Sequence, residues 1–122
     1  MYDNNKGFKY EKIAEKYLSE NGYKILEKNF YCRMGEIDII ALKDGMLHFV
    51  EVKGRKTIKY GYPREAVTKY KQKKIIRTAQ YYLMLKCSGE MSCQFDVIEI
   101  IIENKKINHI ENAFWDHISS VY

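Results

Sequence analysis

No run of about 18 apolar residues occurs anywhere in the 122-residue chain, so a membrane-spanning helix is not among the expected elements. The opening stretch MYDNNKGFKYEK lacks the apolar core of a signal peptide. The expectation is a soluble, cytoplasmic protein that does not engage a membrane. Cysteine is also scarce. Cys32, Cys87 and Cys93 form an odd set without CxxC spacing, a poor basis for disulfides or a zinc site, so they are read as reduced fillers. His48, His109 and His117 stand singly, and a lone histidine is more often packed or on the surface than a ligand. Neither an internal repeat nor a linker interrupts the chain. Its length suits one domain, residues 1–122, and an apolar content of 46% can supply a core.

Positive charge is plentiful and unevenly placed. The net charge is +5, yet residues 53–77 hold ten basic residues against the single acid Glu65, while the rest holds eleven basic and fifteen acidic residues. One fifth of the chain therefore carries all the excess. Such a run is ordinarily a solvated helix face and loop. It also fits a surface for phosphates, independent of sequence and sensitive to salt. Candidate nucleic-acid contacts are Arg55, Lys56, Lys59, Lys69, Lys73 and Arg77, the last three recurring every four residues on one face of an expected helix.

The basic segment begins where the most regular pattern ends, in GEIDIIALKDGMLHFVEVK, residues 35–53. Two runs rich in Ile, Val and Phe, Glu36 to Leu42 and Leu47 to Lys53, flank Asp44-Gly45, a pair suited to a type I′ turn because both central residues need positive φ. A two-residue loop pairs Lys43 with Met46, Asp38 with Glu51 and Glu36 with Lys53. Alternation puts Glu36, Asp38, Ile40 and Leu42 on one face with Leu47, Phe49, Glu51 and Lys53, and Ile37, Ile39, Val50 and Val52 on the other. Opposed carboxylates about 5 Å apart repel unless something compensates them. A hard cation such as Mg²⁺ takes oxygen ligands of this kind. Lys53 would then contact the scissile phosphate or the attacking water, a layout for metal-assisted phosphodiester hydrolysis. The plainer alternative is a Glu36–Lys53 ion pair with Asp38 and Glu51 on a solvated face. Apolar residues in both columns weigh against it, because acids are rarely buried without partners.

Asp38, twelve intervening residues and then Glu51-Val52-Lys53 match the PD-(D/E)XK pattern of restriction-endonuclease-like nucleases. GEID followed by FVEVKGR resembles, more closely, the bacterial YraN family, which is assigned to that superfamily by this motif. Ile37 stands where the superfamily pattern has its proline. Gly7, Glu11, Ala14, Tyr17, Leu18, Gly22 and Tyr23 also match the family's opening pattern. The resemblance implies Mg²⁺ or Mn²⁺ held by Asp38, Glu51 and the Val52 carbonyl, with Lys53 catalytic and Glu11 as a third carboxylate, since related nucleases often supply a helix glutamate. Periodicity alone places Glu11 about 20° from Leu18, at the border of a buried arc.

Along the chain, Phe8 to Asn21 reads as a helix stopped by Asn21-Gly22, and Tyr23 to Tyr31 as a strand beside the hairpin. Residues 54–64 form a basic loop with Tyr60, Tyr62 and the one proline, Pro63. Glu65 to Lys86 is a second helix with Ala66, Val67, Tyr70, Ile75, Ile76, Ala79, Tyr82, Leu83 and Leu85 facing the core, and Lys71, Gln72 and Lys74 as weaker site candidates. Gln94 to Glu103 and Lys106 to Ile110 are strands, with Asp96 a partly buried structural acid. In the tail, Ile110, Phe114, Trp115 and Ile118 form a packing patch. The expected fold is α/β, a mixed sheet of about five strands in the order α-β-β-β-α-β-β, matching a restriction-endonuclease-like core. The expected function is a metal-dependent endonuclease acting on nucleic acid, DNA first. The layout is also similar to archaeal Holliday-junction resolvases, which would mean branched DNA and a dimer. A rival from another class is a nucleic-acid-binding module that does not cut, and monomer and homodimer both stay open.

Overall fold

The computed structural model describes residues 4–57, 67–86 and 91–114, the first five as backbone only. Lys59, Tyr60, Tyr62, Pro63, Glu65, Ala66, Cys87, Trp115 and Ile118 lie outside the described residues, and most of the expected basic loop lies there with them. The elements are α1 (Asn4–Glu20), β1 (Lys24–Cys32), β2 (Gly35–Lys43), β3 (Met46–Arg55), α2 (Lys69–Lys86), β4 (Cys93–Ile101) and β5 (Lys106–Ile110). The strands form one sheet in the order β1-β2-β3-β4-β5. Only β3 and β4 are parallel, because α2 crosses over between them. The mixed α/β order read from the sequence is the one the chain adopts.

Local chemistry sets most boundaries. At Asp44 and Gly45 φ is 52° and 77°, both positive as a type I′ turn requires, and Lys43 pairs with Met46. α1 starts a turn before Phe8 and ends in a Schellman motif, with the Tyr23 N–H on the Leu18 carbonyl at 3.0 Å, the Gly22 N–H on Ser19 at 3.3 Å and Gly22 at φ 88°. α2 starts at Lys69, later than Glu65, because Thr68 caps it: its hydroxyl accepts the Lys71 N–H at 3.2 Å. Val67 is therefore core but not helix. β3 runs on through Gly54 and Arg55 where a loop was expected, and β4 stops at Ile101, not Glu103. The Ile102 N–H still bonds the Arg55 carbonyl at 3.0 Å before the chain turns through Lys105, φ 55°.

The sheet is buried on both faces. Ala14 and Leu18 of α1 pack with Tyr23, Ile39, Ala41, Val50, Ile98 and Ile100. Ile75, Ile76, Ala79 and Tyr82 of α2 pack on the other face with Ile37, Ile40, Leu47, Phe49, Phe95 and Val97. Phe49 stacks on Phe95, centroids 5.4 Å apart, and Phe95 in turn on Phe114 at 5.4 Å. Ile110 and Phe114 of the expected tail patch thus cap this layer. Two residues of the expected α2 stripe are exposed, Tyr70 and Leu85. For Tyr70 the reason is rotational, since it sits about 140° around the helix from Ile75.

A buried polar cluster sits under α1. Asp96 is 0% exposed and is met by His48 Nδ1 at 2.7 Å, His109 Nε2 at 2.8 Å, Gln94 Nε2 at 2.9 Å and the Asn112 N–H at 3.0 Å. Burial alone would raise its pKa, but these hydrogen bonds from His109, Asn112, His48 and Gln94 hold it below the ordinary carboxylate value. An ionised Asp96 only accepts, so both facing ring nitrogens carry protons. On its other side the His109 ring meets the Tyr17 hydroxyl, 3.1 Å from Nδ1. Two of the histidines that stand singly in the sequence, His48 and His109, thus share one carboxylate.

Asp96→Ala should cost about 3–5 kcal/mol in urea unfolding, because it strands the groups built around a buried charge. The depressed pKa also sets a pH dependence. The stabilisation is complete above about pH 4, the unfolded value, and is lost as pH falls through the lower folded one. Asp96→Asn should therefore flatten the acid limb of the stability profile.

Candidate metal and phosphate site

The β2–β3 register runs from Lys43↔Met46 to Ile39↔Val50 and goes no further. The expected pairs Asp38 with Glu51 and Glu36 with Lys53 lie beyond it, so neither is a ladder pair. At the break the Val52 N–H donates to Asp38 Oδ2 at 2.8 Å, a side-chain bond where a strand would offer a carbonyl. Opposite Asp38 on β1, between the pairs Lys28↔Ile39 and Phe30↔Ile37, stands Asn29 with φ 53°. Alternation fails here too. Ile37 packs with Ile40 on the α2 side, so the column expected to hold Ile37 with Ile39 divides between the two faces. The hairpin opens at its acidic end.

Glu51 is 6% exposed and lies 2.9 Å from Lys71 Nζ and 3.5 Å from Lys53 Nζ. Lys53 thus pairs with the acid two residues before it, not with Glu36. Lys71 is the stronger of the two contacts, and the sequence carried a sign of it: Lys71 lies about 40° from Ile75, within the sheet-facing arc of α2. Glu11 reaches the cluster from α1. That approach depends on Gly54, where a Cβ would come within 2.4 Å of the Tyr10 ring. The missing side chain lets the first buried turn of α1 lie on β3, with Glu11 as the next residue.

The ionisation equilibria show what the cluster lacks. Asp38 is pushed up to about 8 by burial and then by the charge of Glu51, against the Val52 N–H that favours its ionised form. Glu11 is raised by burial, and the charges of Glu36 and Glu51 add to this against a hydrogen bond from Asn29. Lys53 is lowered by burial and by Lys71 beside it, against the pull of Glu51. Burial also works against a charged Lys71, yet its bond to Glu51 and the charges of Glu51 and Asp38 hold its pKa above the ordinary value. Both ammonium groups serve Glu51, and Asp38 goes without equivalent compensation. A divalent cation is the compensation such oxygen donors take.

The cluster opens into a cavity of about 660 Å³. Asp38 and Glu51 line it with Glu36, Lys71 and Lys74, and Tyr31 and Tyr70 border it. Of the six basic residues expected to contact nucleic acid, the five described ones lie outside the lining. Lys69, Lys73 and Arg77 are exposed and turned about 120–160° around α2 from Lys71.

A five-stranded mixed sheet with a helix on each face, in the order α-β-β-β-α-β-β, is consistent with a restriction-endonuclease-like core. The family model described as Uncharacterised protein family UPF0102 matches residues 10–100. The chain belongs to this family, the YraN-like one, and the matched span holds Glu11, Asp38, Glu51, Lys53 and Lys71. A UPF0102 protein of Clostridioides difficile is 49% identical over 114 residues, covering 93% of this chain and 100% of the relative. One of Caldanaerobacter subterraneus is 49% identical over 109 residues, 85% and 89% of the two chains. One of Persephonella marina is 46% identical over 109 residues, 89% and 92%. Among the described residues no helix is long and apolar enough to cross a membrane.

The raised pKa of Asp38 has a definite sign. Unfolded, it ionises near pH 4; folded, near 8, so the native state loses stability as pH climbs through that interval and no more above it. In a divalent-free buffer, Asp38→Asn should match or exceed the parent in urea unfolding. Its advantage should widen from about pH 4 to pH 8 and then level off.

Proposed function

We propose that this protein is a metal-dependent nuclease that hydrolyses phosphodiester bonds in nucleic acid, with DNA the first candidate. The observation that carries the reading is the convergence of Glu11, Asp38 and Glu51 from α1, β2 and β3 with Lys53 and Lys71 in one cluster, of which Asp38, Glu51 and Lys71 line an open cavity. Asp38, Glu51 and the Val52 carbonyl, with Glu11, are the groups that would hold Mg²⁺ or Mn²⁺. Carboxylate and carbonyl oxygens suit these ions. Such an ion would supply positive charge against the phosphate and acidify an attacking water.

The chain's own groups do the rest. Lys53, partly buried beside Glu51, orients the water and offsets charge building on the phosphate. Lys71 can exchange Glu51 for a phosphate oxygen of a substrate entering the cavity it lines. The two basic faces of α2 then divide the work: Lys71 and Lys74 at the cavity, Lys69, Lys73 and Arg77 as a more distant, salt-sensitive attraction for the backbone.

The test is cleavage of supercoiled plasmid, single strand, flap, four-way junction and RNA with Mg²⁺ or Mn²⁺. Asp38→Asn, Glu51→Gln and Lys53→Ala should each lower the rate by about 100-fold or more with the fold retained. Cleavage undiminished in all three would sink the proposal. Salt-dependent binding that is untouched by Glu51→Gln, with no cleavage of any substrate, would favour the non-cutting module. Four-way junctions cut ahead of every other substrate would place the protein with the resolvase-like enzymes.

A further inference from the structure

Tyr31 and Tyr70 are 76% and 73% exposed, and both border the cavity that holds Asp38 and Glu51. They come from different elements. Tyr31 lies near the end of β1, paired with Glu36 across the sheet and so two residues from Asp38. Tyr70 lies in the first turn of α2, next to Lys71. Lys74 Nζ is 5.3 Å from the Tyr70 ring centroid, so that ring already holds one cation of the cavity wall. A single exposed tyrosine is unremarkable on a protein surface. Two exposed rings bordering one cavity whose lining also holds carboxylates and two lysines match the chemistry of a nucleotide: planar base, anionic phosphate.

We infer that the cavity takes an unstacked nucleotide, its base against Tyr31 or Tyr70 and its phosphate toward Lys71 and Lys74, so that the substrate has unpaired nucleotides beside the scissile bond. The inference rests on the reading of the cavity as a phosphodiester site. A cavity of about 660 Å³ falls in the range of roughly 300–1,000 Å³ that holds small ligands. A paired duplex keeps its bases stacked on one another and turns sugar and phosphate outward, which gives exposed aromatic rings little to stack on. An unpaired base has a free face, and stacking it on an aromatic side chain is tolerant of sequence because every base has one. Single strands, flaps and the unpaired nucleotides of branched substrates are therefore preferred to blunt duplex.

Fluorescence anisotropy with labelled single strand, flap and blunt duplex of equal length, in Ca²⁺ or EDTA, separates binding from cleavage. Single strand and flap should bind at least about 10-fold more tightly than duplex. Tyr31→Ala and Tyr70→Ala should each weaken single-strand binding about 5- to 100-fold and narrow the preference over duplex. Tyr→Phe at the same positions should restore binding, since a ring and not a hydroxyl is required. Equal binding of single strand and duplex, or losses in the alanine variants that Phe does not restore, would overturn the inference, as would no binding at all. The two readings fail separately. Cleavage insensitive to both tyrosines removes the stacking site and leaves the hydrolase, whereas ring-dependent single-strand binding without cleavage does the reverse.

Discussion

Where the Val52 amide bonds the Asp38 carboxylate, at 2.8 Å, the β2–β3 hairpin stops being a ladder and becomes a site. In a regular antiparallel pair each inward N–H belongs to a carbonyl of the neighbouring strand. Giving one to a side chain ends the pairing at Ile39↔Val50. The strands can then part without an orphaned donor, and Lys71 of α2 meets Glu51 beside the cavity that Asp38 also lines. Toward the turn, apolar packing on both faces holds the same strands firmly. The acidic groups thus project from a rigid base, which is what precise placement of charged side chains needs.

The two interior aspartates show how partners, not burial alone, decide the fate of a carboxylate. Asp96 is enclosed completely and gathers three side-chain donors and a backbone N–H, so its ionised form is favoured. Asp38 takes the Val52 N–H with Glu51 and Glu11 as neighbours, and its ionised form is opposed. The first cluster ties β3, β4, β5 and α1 together and serves the fold. The second holds its charges at a cost to the fold, and such an arrangement in an open cavity is the usual mark of a working site.

Each helix covers one face of the sheet and also brings charge to its open end. α1 ends in a well-formed Schellman motif at Gly22 and meets β3 at Gly54, contacts that set where Glu11 arrives. α2 begins at the Thr68 cap, which places Lys71 in the first turn, over Glu51. A chain of this size has no spare elements, and its core-forming pieces also position the polar groups.

Much of this was legible in the sequence. Local chemistry set the type I′ turn at Asp44-Gly45, the order of elements along the chain and the burial of the hairpin on both sides, since turn residues and side-chain period act over a few neighbours. The Asp38, Glu51 and Lys53 pattern and the border position of Glu11 were readable for the same reason. The end of the ladder at Asp38 was not, because alternation assumes that pairing continues and one side-chain hydrogen bond interrupts it. Nor was the joining of His48 and His109 on Asp96, or the choice of Lys71 over the regular row Lys69, Lys73 and Arg77. By itself, then, the sequence determined which residues lie in which strand or helix and which of them carry charge. Only the tertiary structure decided which charges meet, because those distances exist only once β3 lies beside β4 and the two helices have docked on opposite faces.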